Sequence, residues 1–66
     1  MKIIITNHAA DMMAERGIDE DQIRKALQMG SKIKQTDGLK AVYSYIGVCY
    51  KIAGNKCIIK TVTIER

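Results

Sequence analysis

Apolar residues follow two different spacings along this chain, and the change between them separates helices from strands. Lys2–Thr6 contains three consecutive isoleucines, a β-branched run that predicts a strand buried on both faces. Over His8–Arg16, apolar side chains recur at helical spacing, which predicts a short amphipathic helix. Asn7 is the expected N-cap of this helix, and Gly17 is expected to end it in the left-handed conformation.

A second helix is predicted directly after the first. Asp19 is the expected N-cap of this helix, and Gln22, three residues later, is at the position that completes a capping box. The stretch 23–27 supplies an apolar stripe, the helix is expected to run to Met29, and Gly30 is expected to end it. Because so few residues join the two helices, we expect a tight helical corner.

The rest of the chain alternates between strand-forming and turn-forming residues. Strands are predicted over Lys32–Thr36, Leu39–Tyr45, Val48–Ala53 and Lys56–Ile64. Turns are predicted at Asp37-Gly38, Ile46-Gly47 and Gly54-Asn55. The first of these strands carries lysines, so we expect it at a sheet edge. The predicted fold is α+β in the order β-α-α-β-β-β-β, with two short N-terminal helices packed on one face of a mostly antiparallel twisted sheet.

The Gly54-Asn55 turn predicts how the last hairpin divides between two sheet faces. With a two-residue loop, Cys49 pairs with Lys60, and alternate residues share a face. The expected helix-covered face comprises Val48, Tyr50, Ile52, Cys57, Ile59, Thr61 and Thr63. The expected open, basic face comprises Cys49, Lys51, Ala53, Lys56, Ile58, Lys60, Val62 and Ile64. Cys49 and Cys57 then lie on opposite faces and cannot form a disulfide, whereas a three-residue loop would change this sorting.

The same parity extends to the preceding strand. If the Ile46-Gly47 turn also has an even length, Tyr43 joins the helix-covered face and Lys40 joins the basic face.

Composition and charge narrow the class of protein. The chain has 66 residues, enough for one domain over residues 1–66, and 47% are hydrophobic, which indicates a folded core. Residues 1–31 hold four basic and five acidic side chains, whereas residues 32–66 hold seven basic and two acidic ones. This segregation favours a face that binds a polyanion, nucleic acid first. The alternative is a basic surface that only maintains solubility.

Several other classes are not indicated by the sequence. No apolar run approaches the ~20 residues of a membrane span, and the N-terminus lacks a signal-peptide pattern. We therefore expect a cytoplasmic protein without membrane association. The chain has one histidine and no CxxC motif, so no metal site is expected. No glycine-rich phosphate loop is present, and we expect no cofactor.

His8 is the first candidate for chemistry because it is the one histidine of the chain, and histidine is the residue type whose unperturbed pKa lies near neutrality. It could act as general base or acid, or contact a phosphate; the alternative is an ordinary surface residue. Arg16 lies about 12 Å further along the same helix and 80° around it. The two side chains could therefore flank an extended ligand, unless Arg16 serves only an ion pair or the helix dipole.

Lysines on the predicted basic face form the second candidate group. Lys51 and Lys60 are diagonal neighbours in the predicted hairpin, and two ammonium groups so close repel each other unless an anion separates them. They are candidates for a phosphate site, with a solvated sheet face as the alternative. Lys34, Lys40 and Lys56 are candidate RNA contacts.

Tyr43, Tyr45 and Tyr50 could stack on bases, although half-buried tyrosines more often belong to a core. Tyr50 falls on the predicted helix-covered face, which favours the core interpretation for that residue.

The stretch from His8 to Ile23 carries a family resemblance. Its sequence His-Ala-Ala-Asp-Met-Met-Ala-Glu-Arg-Gly-Ile resembles the HAxxRMxxRGI signature of domain-of-unknown-function family 4258. The matching positions are His8, Ala9, Met13, Arg16, Gly17 and Ile18. The closing segment Thr61–Ile64 resembles the Val-Thr-Val-like end of that family. The family is similar to the RelE-like members of the barnase-EndoU-colicin-RelE superfamily, which are small metal-independent ribonuclease toxins.

The resemblance implies an endoribonuclease toxin paired with an antitoxin protein, acting on RNA that includes ribosome-bound messenger RNA. His8 would be the base or acid, and Arg16, Lys51 and Lys60 would hold phosphate charge. One position departs from the pattern, because Met12 stands where the family usually has an arginine.

Two alternatives are kept open. The first is a non-catalytic RNA-binding or regulatory module on the same fold, for which Met12 is the marker. The second is a protein-interaction domain that dimerises through the edge strand at residues 32–35. Its marker would be an exposed apolar patch, which Val62 and Ile64 could supply.

Overall fold

A computed structural model describes residues 2–65 and contains two helices and five strands. The elements are β1 Lys2–Ile5, α1 Asn7–Arg16, α2 Glu20–Met29, β2 Ser31–Gln35, β3 Gly38–Tyr43, β4 Ile46–Ala53 and β5 Lys56–Ile64. Their order and their arrangement, with both helices packed on the sheet, confirm the predicted α+β fold. Strand β5 has the predicted bounds, whereas β2 begins and ends one residue earlier than predicted.

The five strands form one sheet in the order β1-β5-β4-β3-β2. Strand β1 runs parallel to β5, and the other neighbouring pairs are antiparallel. Strand β2 lies at one edge, as its lysines predicted, and β1 lies at the other. The parallel pair places the beginning of the chain directly beside the β4–β5 hairpin.

Helix α1 begins one residue earlier than predicted, and its N-cap is Thr6 rather than Asn7. The Thr6 hydroxyl accepts a hydrogen bond from the Ala9 amide at 3.2 Å and donates one to the Ile59 carbonyl at 2.8 Å. Thr6 thus ends β1 and begins α1 while it is anchored to β5. Gly17 ends the helix in the left-handed conformation with φ 66°, as predicted.

Helix α2 begins with the predicted capping box. The Asp19 carboxylate accepts from the Gln22 amide, and the Gln22 side-chain oxygen accepts from the Asp19 amide, both at 2.9 Å. Gly30 follows the helix as expected, but with an ordinary φ of −75°. A Cβ there would lie 2.5 Å from the Ala26 carbonyl oxygen and 2.7 Å from that of Val42. Glycine is therefore required at this position by close packing between α2 and β3.

The core lies between the two helices and the sheet face that they cover, which we call the inner face. Its largest fully buried side chains are Ile23, Val48, Cys57, Ile59 and Val62. Helix α1 packs mainly on β5, and helix α2 packs on β3 and β4. The opposite side of the sheet, the outer face, is not covered by any element of residues 2–65.

A β-bulge in β5 overturns the predicted face assignment of its second half. Cys49 pairs with Thr61 and Tyr50 pairs with Ile59, so Lys60 is an extra residue without a partner on β4. The bulge reverses the alternation, because two residues of β5 stand opposite one residue of β4. Val62, predicted to be exposed, is fully buried.

The predicted placement of Val62 and Ile64 on the outer face is therefore wrong. Val62 and Ile64 pair with inner-face residues of β4, and Thr61 and Thr63 point to the outer face instead. Burial of two aliphatic side chains in place of two threonines is the physical reason that this register is favoured.

The predicted Ile46-Gly47 turn is also wrong, because both residues lie inside β4. The turn is formed by Ser44 and Tyr45, and Ser44 has a positive φ of 57°. This turn has two residues, so the predicted faces of Tyr43 (inner) and Lys40 (outer) are confirmed. Strand β3 accordingly ends at Tyr43 rather than at Tyr45.

Candidate nucleic-acid interface

The outer face carries aliphatic side chains in its middle and lysines around them. Strand register assigns to it Lys2, Ile4, Ile33, Lys40, Val42, Cys49, Lys51, Lys56, Ile58, Thr61 and Thr63. Ile4 and Ile58 are neighbours on β1 and β5, and both are only half-buried. An uncovered sheet face with this mixture can contact a flat or extended ligand over several strands.

Three lysines gather at the hairpin end of the outer face, and we call them the hairpin-end lysine cluster. Lys2 and Lys56 are direct neighbours on the parallel strands β1 and β5. Lys51 lies diagonally across from Lys56, because its own partner on β5 is Ile58. Neighbouring strands are about 4.8 Å apart, so the backbone positions that carry the three lysines lie close together on adjacent strands. None forms an ion pair with another of residues 2–65.

Lys60 lies in the bulge, and its charge is already balanced. Its ammonium group donates to the backbone carbonyl of Asp37 and to the Asp37 carboxylate, the latter at 3.2 Å. The predicted Lys51–Lys60 pair was expected to need an anion to relieve repulsion. For Lys60 that anion is Asp37, at the β2–β3 turn, which leaves Lys51 as the unpaired member.

Lys40 lies on the outer face as predicted, but it too is paired. Its Nζ lies 2.8 Å from Glu65 Oε1, and the Thr63 hydroxyl donates to Glu65 Oε2 at 2.8 Å. The hydrogen bond from Lys40, followed by that from Thr63, lowers the pKa of Glu65. The same bond to Glu65 raises the pKa of Lys40. This pair occupies the space that Gly47 leaves open, since a Cβ at Gly47 would lie 2.9 Å from Lys40 Cε.

Lys34 is separated from the other predicted RNA contacts. Its register partner is Leu39, which pairs with the buried Tyr50, so Lys34 extends from the helix side of edge strand β2. Of the three predicted contacts Lys34, Lys40 and Lys56, the structure therefore leaves only Lys56 on the outer face without an acidic partner among residues 2–65.

His8 is exposed in the first turn of α1. Thr6 precedes it by two residues, and both the amide and the hydroxyl of Thr6 donate to the Ile59 carbonyl, at 3.3 and 2.8 Å. Because Lys60 directly follows Ile59, the backbone carrying His8 begins at the rim of the sheet beside the bulge. Its side chain forms no hydrogen bond or ion pair with any of residues 2–65, so its chemical role stays a prediction.

Arg16 is exposed in the last turn of α1, where its charge complements the helix dipole. Met12 lies between it and His8, half-buried and one turn from the histidine. No acidic group of residues 2–65 pairs with Arg16. Its predicted part in holding phosphate charge is not tested by this geometry.

The buried polar-capable side chains belong to the core. Tyr50 lies on the inner face, where burial raises the pKa of its hydroxyl. Burial likewise raises the pKa of the Cys57 thiol, whereas Cys49 is half-buried on the outer face. Both cysteines are free, as their predicted placement on opposite faces required.

Neither a metal cluster nor a membrane span is found in the described part of the chain. Residues 2–65 contain no group of three histidine, cysteine, aspartate or glutamate side chains arranged to hold a metal ion. None of the helices within these residues has the length and apolarity needed to cross a bilayer.

The motif of α1 is part of a longer match to a protein family. Residues 5–65 match the model of the family described as Domain of unknown function (DUF4258). The chain belongs to this family. The match includes the whole of α1 and continues through β5, so the resemblance noted for the helix extends over nearly the entire chain. No curated protein and no solved structure gave a significant match.

Lys2 is the member of the interface that sequence reasoning missed. Its position beside Lys56 depends on the parallel pairing of β1 with β5, two segments more than 50 residues apart. The signal available in the sequence was the β-branched run after Lys2, which predicts a strand but not its partner. Two helices and three strands separate β1 from β5 along the chain, so no local signal indicates that the two strands pair.

Proposed function

We propose that this DUF4258 protein is a small RNA-cleaving protein of the toxin type, similar to the RelE-like ribonucleases. The observation that supports it best is the hairpin-end lysine cluster of Lys2, Lys51 and Lys56, three cations on an uncovered face without acidic partners among residues 2–65. Unpaired lysines of this kind bind phosphate backbones without reading sequence. RNA, including ribosome-bound messenger RNA, is the proposed substrate, and an antitoxin protein is the proposed partner.

The proposed chemistry needs no metal. A base removes the proton from a ribose 2′-hydroxyl, the oxygen attacks phosphorus, and the bond to the 5′-oxygen breaks as an acid protonates it. The products are a 2′,3′-cyclic phosphate and a 5′-hydroxyl. We assign the base or acid role to His8, because histidine is the residue type that most often performs general acid–base catalysis.

The cations have different parts in this proposal. Lys51 is available for the charge of the phosphorane, whereas Lys60 must first exchange Asp37 for the phosphate. Arg16 would hold a phosphate further along the strand. From Lys56 to Lys60, β5 extends about 13 Å, so RNA lying along β5 could reach from the lysine cluster to the rim where α1 begins.

A non-catalytic RNA-binding module on the same fold is the second candidate. Two observations favour it: Met12 replaces the family arginine one turn from His8, and Lys60 is engaged by Asp37. This candidate uses the same lysine cluster but assigns no chemistry to His8. An assay of RNA cleavage therefore distinguishes the two candidate functions, whereas an assay of RNA binding does not.

Induced expression in a bacterial host separates the two candidates. We expect the wild-type chain to arrest growth and fragment messenger RNA, and His8→Ala to abolish both effects while the protein still accumulates. Arg24→Gln removes one exposed charge on α2 and serves as the control. Growth without arrest, together with RNA that co-purifies with the wild-type chain, would favour the non-catalytic module.

A further inference from the structure

A cavity lies away from the hairpin-end lysine cluster, at the opposite end of strand β4. It has a volume of about 190 Å³ and is lined by Gln22, Lys25, Tyr43, Ser44, Tyr45 and Ile46. Helix α2 supplies one wall, and the β3–β4 turn supplies the other. The volume is smaller than the roughly 300–1,000 Å³ of a drug-sized pocket, so it suits one ring system.

The cavity combines an aromatic surface with hydrogen-bond donors. Tyr45 is 50% exposed, and its hydroxyl accepts a hydrogen bond from Gln22 Nε2 at 3.3 Å. That bond leaves the hydroxyl proton of Tyr45 available. The hydroxyls of Tyr43 and Ser44 and the ammonium group of Lys25 have no acceptor among residues 2–65. A ligand that offers a flat ring and several acceptor atoms matches this set.

Three acids lie near these donors. Asp21 is one helical turn before Lys25 but forms no ion pair with it. Asp19 accepts from the Gln22 amide as the helix cap, and Glu20 forms an ion pair with Arg24 at 2.6 Å. None of the three carboxylates lines the cavity. Lys25 is thus the charged group of the lining, and an anionic acceptor next to the ring would satisfy it.

Ser44, in the wall of the cavity, has an unusual backbone conformation. It is the one residue other than glycine with positive φ among residues 2–65, at 57°. A glycine would form this hairpin turn without steric cost, whereas a serine with positive φ is strained. The serine in turn places a hydroxyl at the cavity wall. Strain of this kind concentrates at ligand sites.

We propose that this cavity binds a nucleotide, with the base stacked on Tyr45 and the adjoining phosphate on Lys25. The same chemistry is offered by a free mononucleotide and by one residue of a single-stranded RNA. The site is separate from His8 and from the hairpin-end lysine cluster, and its occupation requires no cleavage.

Backbone amide NMR of the full ¹⁵N-labelled chain tests this site directly. Adenosine monophosphate should shift the amides of residues 22–25 and 43–46, and inorganic phosphate alone should shift them much less. A single-stranded RNA hexamer that binds the same residues more tightly than the mononucleotide would identify an RNA strand as the ligand. Equal affinities would identify the free nucleotide.

Substitutions of Tyr45 and Lys25 separate the contribution of base stacking to binding from the contribution of charge. We expect Tyr45→Leu to weaken mononucleotide binding about tenfold and Tyr45→Phe to weaken it less than threefold, because the phenylalanine ring retains the stack. Lys25→Gln should weaken binding several-fold, while Lys32→Gln, the same charge change at an exposed lysine that does not line the cavity, should leave it unchanged. His8→Ala should also leave it unchanged, whatever its effect on RNA cleavage.

Absence of shifts at residues 22–25 and 43–46 would overturn the proposal, as would equal affinity in the wild type and Lys25→Gln. Lys25 lies on the exposed side of α2, so this variant remains informative if Tyr45→Leu fails to fold.

Discussion

At the residue scale, the outer face has few charges that are both exposed and unpaired. Lys40 and Lys60 are matched by Glu65 and Asp37, so a count of lysines overstates the positive charge that a ligand meets. The hairpin-end lysine cluster is different, because no carboxylate of residues 2–65 pairs with it. Pairing, rather than the number of lysines, decides which part of the outer face can attract a polyanion.

The Lys40–Glu65 pair makes stability depend on pH in a defined direction. The hydrogen bonds from Lys40 and Thr63 hold the pKa of Glu65 below its usual value of 4.5. The folded state therefore binds the proton less readily than the unfolded state. The stabilisation is fully present above pH 4.5 and is lost as the pH falls through the folded-state pKa.

We expect Glu65→Gln to lower the free energy of unfolding at pH 6 and to have a smaller effect at pH 3. Urea denaturation of both proteins across this range measures the difference. A loss that stays constant from pH 6 to pH 3 would contradict the assigned role of the carboxylate. Asp11→Asn is a suitable control, since Asp11 is exposed and forms no ion pair among residues 2–65.

At the element scale, the junction between β1 and α1 depends on Thr6. The hydroxyl of this residue caps the helix and also bonds to β5, whereas the neighbouring Asn7 is exposed. Sequence preference alone favoured Asn7 as the cap, because asparagine ranks above threonine at that position. The bond to Ile59 is a long-range contact, and local sequence does not contain it.

Alanine substitutions of Thr6 and Asn7 show which of the two residues caps α1. We expect Thr6→Ala to reduce the free energy of unfolding by about 1–2 kcal/mol, through the lost cap and the lost bond to Ile59. Asn7→Ala should change it by less than about 0.5 kcal/mol, as exposed substitutions usually do. Thermal or urea denaturation of the two variants measures both changes. A larger loss of stability for Asn7→Ala than for Thr6→Ala would contradict the assignment of Thr6 as the cap.

The β-bulge shows a second limit of sequence reasoning at this scale. The Gly54-Asn55 turn correctly fixed the pairing from Ala53 with Lys56 as far as Tyr50 with Ile59. Beyond it, Lys60 interrupts the alternation, and the remaining residues of β5 change faces. The pattern Thr61-Val62-Thr63-Ile64 fits either face by alternation alone, so only the burial of Val62 on the inner face selects the register.

At the scale of the whole molecule, the order of elements was predictable because each helix and strand carries a local signal. The caps at Asp19 and Gly17 and the Gly54-Asn55 turn mark boundaries without reference to distant contacts. The turn predicted at Asp37-Gly38 lies one residue earlier, at residues 36–37, and Gly38 is the first residue of β3. The candidate interface was less predictable. It combines β1 with the β4–β5 hairpin through a parallel pairing of residues 54 positions apart, such as Lys2 with Lys56.

Salt dependence tests the proposed interface as a unit. Each phosphate contact on single-stranded RNA contributes about −0.7 to the slope of log K against log salt concentration. We expect the triple variant Lys2→Gln, Lys51→Gln, Lys56→Gln to reduce the magnitude of this slope by about 2 and to weaken RNA binding.

Arg24→Gln with Lys32→Gln removes two exposed charges elsewhere and should preserve most of the slope. An unchanged slope in the triple variant would place the RNA on another surface.

Cleavage by the purified protein tests the central claim most directly. The measurement compares naked RNA and ribosome-bound messenger RNA as substrates and identifies the ends of the products. We expect wild-type protein to produce 2′,3′-cyclic phosphate and 5′-hydroxyl ends, and His8→Ala to lower the rate at least a hundredfold while RNA binding is kept. Equal cleavage by wild type and His8→Ala, or intact RNA with both substrates, would contradict the account.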